Sequence, residues 1–340
     1  MNAIVVEKPH ALAVRDDGKP AAPGPGEVLV RVRRAGICGS DIHIFHGTNP
    51  FAKYPRVIGH EFAGEIEAIG PGVVGLEPGD HVVVDPVVAC GHCYPCRIGR
   101  PNVCANLEVM GVHRDGGFRS RLAIPAANAI RISPAMPFGV AAMAEPFSIA
   151  ANVLSRTGVA DTDTVLIYGA GMIGLTVLLA ARLSGARVVV ADIDDARLAR
   201  AKALGAARTI NSRTAPLVEA VADENDGLGP SLIIEAAGAP GLFEEATRIA
   251  SPAGRIGLLG FTATPSPVTQ QDIVKKELTI AGSRLNRKLL PQAIGWFESG
   301  RIDPADLITQ VFPARDAVAA FDLIARDPGS TVKVQLDFDD

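Results

Sequence analysis

The chain has 340 residues, of which 48% are hydrophobic and 21% charged, and its formal net charge at pH 7 is −4. These values are typical of a globular enzyme with two domains of ordinary size and argue against a disordered chain. Because no dense block of lysine and arginine occurs, a nucleic-acid partner is not expected.

Two features argue against a membrane protein or an exported protein. The longest apolar stretch, residues 165–183, is interrupted by three glycines and contains Arg182, so it indicates a buried strand, a turn and a helix. The sequence begins MNAIVVEKPH, without the basic and apolar regions of a signal peptide. We therefore expect a cytoplasmic protein with no membrane partner.

The chain up to about residue 150 contains short β-like runs that are separated by glycine and proline. The clearest runs are residues 27–32, 64–69, 81–84 and 121–124. This pattern predicts an irregular, mostly antiparallel β domain.

A candidate catalytic metal site lies in this region, in the segments Cys38-Gly39-Ser40-Asp41-Ile42-His43 and Gly59-His60-Glu61. A thiolate and an imidazole suit Zn²⁺. Cys38 and His60 alone would leave its shell incomplete, with room for water or an alcohol, which is typical of a catalytic zinc. The Ser40 hydroxyl could then take up the substrate proton and His43 pass it towards solvent. Taken singly, Cys38 could be a buried structural thiol, His60 a structural histidine and Ser40 a turn residue.

Four further cysteines, which we call the cysteine quartet, lie within fifteen residues: Cys90, Cys93, Cys96 and Cys104. Four thiolates on one short loop can close a tetrahedral shell around Zn²⁺ and leave no position for a substrate, which predicts a structural zinc. The alternative is two disulfides. It is disfavoured because nothing directs the chain to an oxidising compartment, and a chain of this length can bury a core without cross-links.

From residue 164 onward, predicted strands alternate with predicted helices. The strands are residues 164–168, 187–191, 231–235, 255–259 and 278–281, and the helices include residues 176–184 and 196–204. Such alternation predicts a parallel sheet covered on both faces.

A glycine-rich loop, Gly169-Ala170-Gly171-Met172-Ile173-Gly174, follows the first of these strands. Gly169 would form the tight turn, Gly171 would let the backbone approach a pyrophosphate, and Gly174 would permit close packing of helix on strand. The free N–H groups at the start of the helix, including those of Met172 and Ile173, would face the phosphates.

The second strand of this region ends at Asp192, which is 18 residues after Gly174. We expect its carboxylate to accept hydrogen bonds from both ribose hydroxyls and to repel a 2′-phosphate, so the predicted cofactor is NAD rather than NADP. The alternative is a glycine turn that only packs a helix on a strand, with Asp192 as a cap.

Together, these segments resemble the zinc-dependent medium-chain alcohol and polyol dehydrogenases. The run Gly59-His60-Glu61-x2-Gly64-x5-Gly70-x2-Val73 is similar to the zinc signature of that family, and the Cys38 segment, the cysteine quartet and the glycine-rich loop occur in the same order and spacing. The resemblance implies an α/β protein with a GroES-like catalytic domain, residues 1–150, completed by residues 290–340. A Rossmann NAD-binding domain, residues 151–289, would lie between them. It also implies two Zn²⁺ ions per chain, one held by Cys38 and His60 and one by the quartet.

The resemblance further implies a third ligand for the catalytic zinc. Ordinary alcohol dehydrogenases of the family use a second cysteine near the domain junction, whereas this chain has Glu145 before Pro146, like the sorbitol, threonine and sugar-acid branches. Glu61 is the other candidate, and the alternative for it is a role in orienting the ligands only. The alternative for Glu145 is a surface or capping acid. An oxygen-rich shell fits substrates with adjacent hydroxyls.

The stretches around residues 47–61, 111–118 and 281–284 resemble the sugar-acid subgroup, which includes L-galactonate and L-idonate 5-dehydrogenases and starvation-sensing dehydrogenase-like proteins. A sugar acid needs a cation for its carboxylate, for which Arg284 is the first candidate and His113 the second. Phe118 could line the cleft. The alternatives are an ion pair or cofactor contact for Arg284 and core packing for Phe118. After Arg284 the chain reads Leu285-Asn286-Arg287-Lys288, which departs from the subgroup.

The predicted activity is the oxidation of a secondary alcohol of a sugar acid or polyol to a ketone, dependent on zinc and NAD, in a homodimer or homotetramer. One alternative is a threonine or butanediol dehydrogenase, although no partner for a substrate ammonium group can be identified. Another is a non-catalytic NAD-binding sensor. The combination of Cys38, Ser40, His43, His60 and Glu145 favours an enzyme, because a sensor needs no proton relay.

Overall fold

The computed structural model describes residues 2–18 and 20–339 of the chain. They form two compact units. The first unit joins Met1–Ser148 to Asn286–Asp340, and the second comprises Ile149–Leu285. Residues 1 and 340, where the predicted catalytic domain begins and ends, lie outside the described part.

The first segment of the chain is rich in short strands. The strands are β1 (Asn2–Lys8), β2 (Ala11–Asp16), β3 (Glu27–Ile37), β4 (Arg56–Val57), β5 (Glu61–Ile69), β6 (His81–Val84), β7 (Val87–Val88), β8 (Glu108–Val109), β9 (Arg121–Pro125) and β10 (Ala129–Arg131). The helices are α1 (Gly39–Phe45), α2 (Tyr94–Arg97) and α3 (Phe138–Ala142). Each of the four predicted runs is a strand, and β3 continues to Ile37, beyond its predicted end.

The middle of the chain alternates strands with helices. The strands are β11 (Thr164–Tyr168), β12 (Arg187–Asp192), β13 (Arg208–Asn211), β14 (Leu232–Glu235), β15 (Arg255–Leu258) and β16 (Thr279–Gly282). The helices are α4 (Ala144–Thr157), α5 (Met172–Arg182), α6 (Asp195–Ala203), α7 (Leu217–Ala220), α8 (Glu224–Gly227), α9 (Leu242–Ile249) and α10 (Gln270–Val274). The last part of the chain forms α11 (Leu290–Glu298), β17 (Ile308–Pro313), α12 (Ala317–Arg326) and β18 (Lys333–Asp337).

The main sheet of the first unit has seven strands. Six follow the order β10-β6-β5-β3-β18-β17, and β9 also pairs with β3. Strand β18 from the end of the chain lies antiparallel to β3, with Val334 opposite Ile37. Residues near the end of the chain are thereby brought beside the end of β3, where Cys38 follows.

The second unit contains one six-stranded parallel sheet in the order β13-β12-β11-β14-β15-β16. This is the order of doubly wound dinucleotide-binding sheets, whose strand order reverses between β11 and β14. Leu166, Val189, Ile233 and Ile256 form its fully buried centre. The predicted fold class, a GroES-like β-rich domain with a Rossmann parallel sheet, is confirmed.

One helical stretch in the described part of the chain, Phe138–Thr157, is long and apolar enough to cross a membrane by length and composition. However, 72% of its apolar window is buried inside the protein. The stretch consists of α3 and α4, and core packing accounts for its apolar character.

Candidate active site

Two neighbouring strands bring Cys38 and His60 together. Cys38 follows the last residue of β3, His60 precedes the first residue of β5, and Gly36 of β3 lies opposite Glu61 of β5. Position 36 requires glycine, because a Cβ there would overlap the Glu61 carboxylate. As a result, ligand atoms of Cys38, His60 and Glu61 lie within 4.8 Å of one another. We call these three residues the zinc cluster.

Asp41 links the two ligand segments, a role that the sequence analysis did not assign. Its buried carboxylate accepts hydrogen bonds from the N–H of Cys38 at 2.9 Å and from the N–H of Gly59 at 3.2 Å. It also lies 3.6 Å from Nδ1 of His60. An acid in the first turn of a helix commonly accepts the N–H of the residue that begins the helix, so the position of Asp41 after Cys38 was the available signal.

Lys333 of β18 is the partner of Glu61, and the sequence analysis missed it. Its Nζ lies 2.8 and 2.5 Å from the two carboxylate oxygens and 3.1 Å from the carbonyl oxygen of Ile37. Burial lowers the pKa of Lys333, but the charges of Glu61 and Cys38 outweigh it and hold that pKa above its usual value. A carboxylate accepts about four hydrogen bonds, so Glu61 keeps capacity for a metal ion.

Glu145 lies close to the zinc cluster but outside it. Among the described residues, the group around Cys38 whose ligand atoms all lie within 4.8 Å of one another consists of Cys38, His60 and Glu61. Glu145 is 3% exposed, and burial, reinforced by the Glu61 charge against the opposing effects of His60 and Lys333, raises its pKa to about 8. Of the two candidate glutamates, the cluster therefore contains Glu61.

The zinc cluster fits a cation. Nδ1 of His60 is buried and has no hydrogen-bond partner within the described residues. Burial lowers the pKa of His60, but the negative charges of Cys38 and Asp41 outweigh it and hold that pKa well above its usual range. The surroundings thus favour positive charge, and sulfur, nitrogen and carboxylate oxygen are the donors that zinc accepts.

Ser40 and His43 are placed differently relative to the cluster. Oγ of Ser40 lies 3.5 Å from Nε2 of His60, whereas Nδ1 of the exposed His43 lies 3.0 Å from Oγ1 of Thr48. In the part of the chain that the structure describes, Ser40 and His43 do not bond directly to each other. The predicted proton relay therefore needs a group between them.

The cysteine quartet forms a second cluster. All four thiols are free of disulfides, and the Sγ atoms lie 3.4 Å apart between Cys93 and Cys96, 3.4 Å between Cys104 and Cys90, and 3.7 Å between Cys93 and Cys104. A tetrahedral site with Zn–S bonds of about 2.3 Å has S–S edges of about 3.8 Å. The N–H groups of His92 and Cys93 lower the pKa of Cys90 to about 6, which favours the thiolate. The quartet therefore fits a closed zinc site.

The glycine-rich loop directly follows β11. Gly169 has φ +97°, and a Cβ on Gly174 would overlap the carbonyl oxygen of Gly169. Helix α5 begins at Met172, so the N–H groups of Met172 and Ile173 belong to its first turn. A Cβ on Gly171 would meet no atom within 4 Å, so the backbone there is open to a ligand. Asp192, at the end of β12, is 8% exposed and accepts hydrogen bonds from neighbouring N–H groups.

The predicted substrate residues differ in their surroundings. Arg284 follows β16 in the second unit and lies half-buried, with its guanidinium 6.0 Å from the ring centroid of Phe261. In the first unit, Nδ1 of His113 accepts the N–H of Val109 at 3.1 Å, which leaves Nε2 as the donor of the neutral ring.

Phe118 requires a correction. It is fully buried, and its ring fills the space that a Cβ on Gly59 would occupy. The described structure therefore places Phe118 in the core, and a direct substrate contact is not supported.

Comparison with known proteins identifies the family. Residues 24–134 match the model of the alcohol dehydrogenase GroES-like domain, and residues 173–299 match that of the zinc-binding dehydrogenases. The starvation-sensing protein RspB of Escherichia coli K12 is 49% identical over 99% of both chains. The chain belongs to the zinc-dependent alcohol dehydrogenase family. The predictions of an oxidoreductase and of a zinc-dependent dehydrogenase family are therefore confirmed.

Other relatives of this zinc-dependent alcohol dehydrogenase differ in substrate. The L-threonine 3-dehydrogenase of Pyrococcus horikoshii is 39% identical over 83% of this chain and 82% of its own. The L-galactonate-5-dehydrogenase of Escherichia coli K12 is 36% identical over 84% of this chain and 83% of its own. A crystal structure from Escherichia coli CFT073, described as a short chain alcohol dehydrogenase (rspB) complexed with cofactor NADH, has a TM-score of 0.95 and 48% identity over 99% of both chains.

Proposed function

We propose that this protein oxidises a secondary alcohol of a sugar acid or polyol to a ketone and transfers the hydride to NAD. The reaction converts CH–OH and NAD⁺ into C=O, NADH and one proton. The observation that carries the proposal is the zinc cluster, formed by half-buried Cys38 and buried His60 and Glu61, which combines the donors of a zinc site with an adjacent serine hydroxyl. The β-rich unit would hold the metal, and the unit with the parallel sheet would bind the dinucleotide.

The residues of the first unit would have distinct roles. Cys38 and His60 would hold the catalytic zinc, with Glu61 or Glu145 as the third ligand, and Asp41 would fix the orientation of both segments. Zinc bound there supplies the Lewis acidity that makes an alcohol proton removable near neutral pH, and NAD accepts the hydride. The Ser40 hydroxyl would receive the substrate proton, a group between the two side chains would carry it to His43, and His43 would release it to solvent.

The choice of NAD rests on the glycine-rich loop and on Asp192. The helix start at Met172 offers N–H groups to a pyrophosphate, and a carboxylate at the end of β12 disfavours a 2′-phosphate. The NADH complex of the structure that is 48% identical supports this choice.

The substrate class rests on oxygen-rich ligation and on Arg284. Glutamates in place of a second cysteine suit a substrate that presents two adjacent hydroxyls to the metal. A guanidinium can bind a carboxylate with two hydrogen bonds, so Arg284 would select an acid over a neutral polyol. The L-galactonate-5-dehydrogenase relative supports a sugar acid.

L-threonine is the second candidate substrate, because the L-threonine 3-dehydrogenase relative is as similar to this chain as the L-galactonate-5-dehydrogenase is. Its oxidation would use the same zinc cluster and hydride acceptor. The two candidates differ in whether the substrate carries an ammonium group or a chain of hydroxyls.

A substrate panel tests the proposal. The zinc-loaded protein is mixed with NAD and with aldonates, hexitols, L-threonine or 2,3-butanediol, and NADH is followed by absorbance. We expect turnover with an aldonate, and in the Arg284→Ala variant a KM for the aldonate raised at least tenfold, while any activity on a hexitol is unchanged. Turnover with L-threonine alone would replace the sugar-acid assignment, and turnover with hexitols alone would make Arg284 structural.

We further propose a cytoplasmic homodimer or homotetramer that contacts its copies through β16. This strand is the last in the order of its sheet, so one side of its backbone is available to a strand of a second copy. Light scattering measures the mass in solution. A species of 35.4 kDa, the mass of one chain, would contradict the proposal.

A further inference from the structure

The carboxylate of Asp192 is occupied by backbone N–H groups from two loops. Oδ2 accepts the N–H of Ala170 at 2.7 Å. Oδ1 accepts the N–H of Ile193 at 2.7 Å and the N–H of Asp194 at 3.0 Å. Ala170 lies in the middle of the first Gly-x-Gly of the glycine-rich loop, whereas Ile193 and Asp194 lie in the turn between β12 and α6.

This arrangement connects the ends of two neighbouring strands. Strands β11 and β12 run parallel, with Tyr168 opposite Ala191, and the N–H of Gly169 bonds the carbonyl oxygen of Ala191 at 2.8 Å. The bond from Ala170 to Asp192 is the next one along the chain. The first two N–H groups of the glycine-rich loop are therefore directed towards β12, and α5 begins two residues after Ala170.

The hydrogen-bonding capacity of Asp192 limits what it can offer a cofactor. A carboxylate has about four acceptor positions, two on each oxygen. Oδ1 already accepts two N–H groups and Oδ2 accepts one. In this conformation one position remains, on Oδ2, so Asp192 has room for one ribose hydroxyl rather than the two that the sequence analysis expected.

We propose that Asp192 is a positioning residue for the phosphate-binding loop, in addition to any contact with a ribose. Because Asp192 accepts the N–H of Ala170, it fixes the direction in which the loop enters α5. It thereby also fixes the orientation of the N–H groups of Met172 and Ile173. The inference rests on the proposed binding of NAD by the second unit.

A change in the preference between NAD and NADP would not distinguish a ribose contact of Asp192 from its positioning of the phosphate-binding loop. The binding of adenosine and ADP does distinguish them. If Asp192 acted only on the ribose, Asp192→Asn would weaken adenosine and ADP by the same factor, or weaken ADP less, because removal of a negative charge favours phosphates. If Asp192 positions the loop, the variant side chain has only one acceptor oxygen for the three N–H groups that the carboxylate holds. While that oxygen stays with Ile193 and Asp194, which make two of the three bonds, the NH2 group faces the N–H of Ala170, two donors oppose each other, and the phosphate cradle is disturbed. ADP then loses more affinity than adenosine does.

The experiment measures the dissociation constants of adenosine, ADP and NAD for the full-length zinc-loaded protein by calorimetry or by ligand-observed NMR. For Asp192→Asn we expect ADP and NAD to weaken at least tenfold more than adenosine. The matched control is Asp195→Asn, three residues away. It removes one negative charge, keeps an oxygen that can accept the bond from Asn211, and has no bond to the glycine-rich loop in the described structure, so the ratio of adenosine to ADP affinity should stay unchanged.

The outcomes are distinguishable. Equal weakening of adenosine and ADP in Asp192→Asn would overturn the positioning role and leave the ribose contact. Absence of ADP and NAD binding by the unaltered protein would instead contradict the proposed function itself.

A measurement on the unaltered protein covers the case in which the variant does not fold. Residue-resolved amide hydrogen exchange without ligand should show the N–H of Ala170 strongly protected and those of Met172 and Ile173 weakly protected, with protection of the latter two on addition of ADP. Exchange of Ala170 as rapid as that of Met172 would overturn the proposal.

Discussion

The buried charge of Lys333 has a structural consequence for Glu61. Both side chains are 2% exposed and bond each other through two oxygens. Loss of one partner from a buried ion pair leaves the other charge without compensation, which typically costs about 3–5 kcal/mol. Lys333 therefore holds Glu61 in place beside Cys38 and His60.

We expect Lys333→Met to lower the free energy of unfolding by about 3–5 kcal/mol, because it leaves the Glu61 carboxylate buried and unpaired. The only tryptophan, Trp296, lies in α11 of the first unit, so urea unfolding followed by its fluorescence reports on that unit. Lys53→Met, at an exposed lysine of the first unit, is the control. A loss below about 1 kcal/mol, the usual size for a surface pair, would contradict the role of Lys333.

Single residues also mark the limit of sequence reasoning at this site. Cys38, His60 and Glu61 were identified from their spacing and chemistry, and the structure places their ligand atoms together. Lys333 was not, because it lies 272 positions from Glu61 and is surrounded by ordinary strand residues. Only the pairing of β18 with β3 brings it to the cluster, and that pairing leaves no local pattern in the sequence.

At the scale of elements, Glu224 ties two parallel strands of the second unit together. It bonds Nε and Nη2 of Arg187 at 2.8 and 3.2 Å and Nη1 of Arg208 at 3.3 Å. Arg187 begins β12 and Arg208 begins β13. The hydrogen bonds from Arg187 lower the pKa of Glu224 against the opposing effect of burial.

This lowered pKa gives the stability of the second unit a defined pH dependence. A carboxyl group with a lower pKa in the folded state contributes stability above its unfolded value of about 4.3, and this contribution is lost as the pH falls through the folded value. We expect Glu224→Gln to cost about 1–3 kcal/mol at pH 7 and progressively less below pH 4. Urea unfolding by circular dichroism at several pH values checks this, with the exposed Glu219→Gln as control. A cost that is independent of pH would refute the assignment.

Element boundaries show which physical signals the sequence carries. The predicted runs 81–84 and 164–168 coincide with β6 and β11, because an aspartate or a glycine stands directly before and after each run. Strand β3 extends past its predicted end since Arg33 and Arg34 interrupt the apolar pattern, yet they stay in the strand and pair with Glu65 and Asp337. Helix α5 begins at Met172 rather than at residue 176, because the glycine-rich loop leads directly into it.

At the scale of the whole molecule, the two metal clusters have separable roles. The zinc cluster lies among buried residues of the main sheet, whereas the quartet lies in a lobe of short elements, including β7, α2 and β8. A closed metal site contributes directly to the folding of such a small lobe.

We therefore expect Cys93→Ala to lose about one zinc per chain, measured by elemental analysis, and to make the backbone between β7 and β8 accessible to proteolysis. The remaining zinc should stay bound at Cys38 and His60. A variant that lost zinc at the quartet and kept full protease resistance would contradict a structural role for that metal.

The whole-molecule organisation was predictable because it follows from regular patterns. Alternating strands and helices after residue 164 indicate a parallel sheet, and the structure has one in the order expected for dinucleotide binding. The substrate class was less predictable, because no sequence spacing identifies Arg284 or His113 as substrate-binding residues. Their roles depend on the residues that surround them in the fold. Phe118 illustrates the difference. Its ring occupies the space that a side chain at position 59 would fill, and this packing is not visible in the sequence.

The most direct test of the central claim is metal-dependent hydride transfer by the protein and its Cys38→Ala variant. Zinc content, NAD affinity and NADH formation with an aldonate are measured for both, with and without a chelator. We predict that the variant loses one zinc and all detectable turnover but binds NAD with a dissociation constant within about threefold of the unaltered protein, and that the chelator abolishes turnover of the latter. Appreciable turnover by zinc-depleted Cys38→Ala protein would contradict the account.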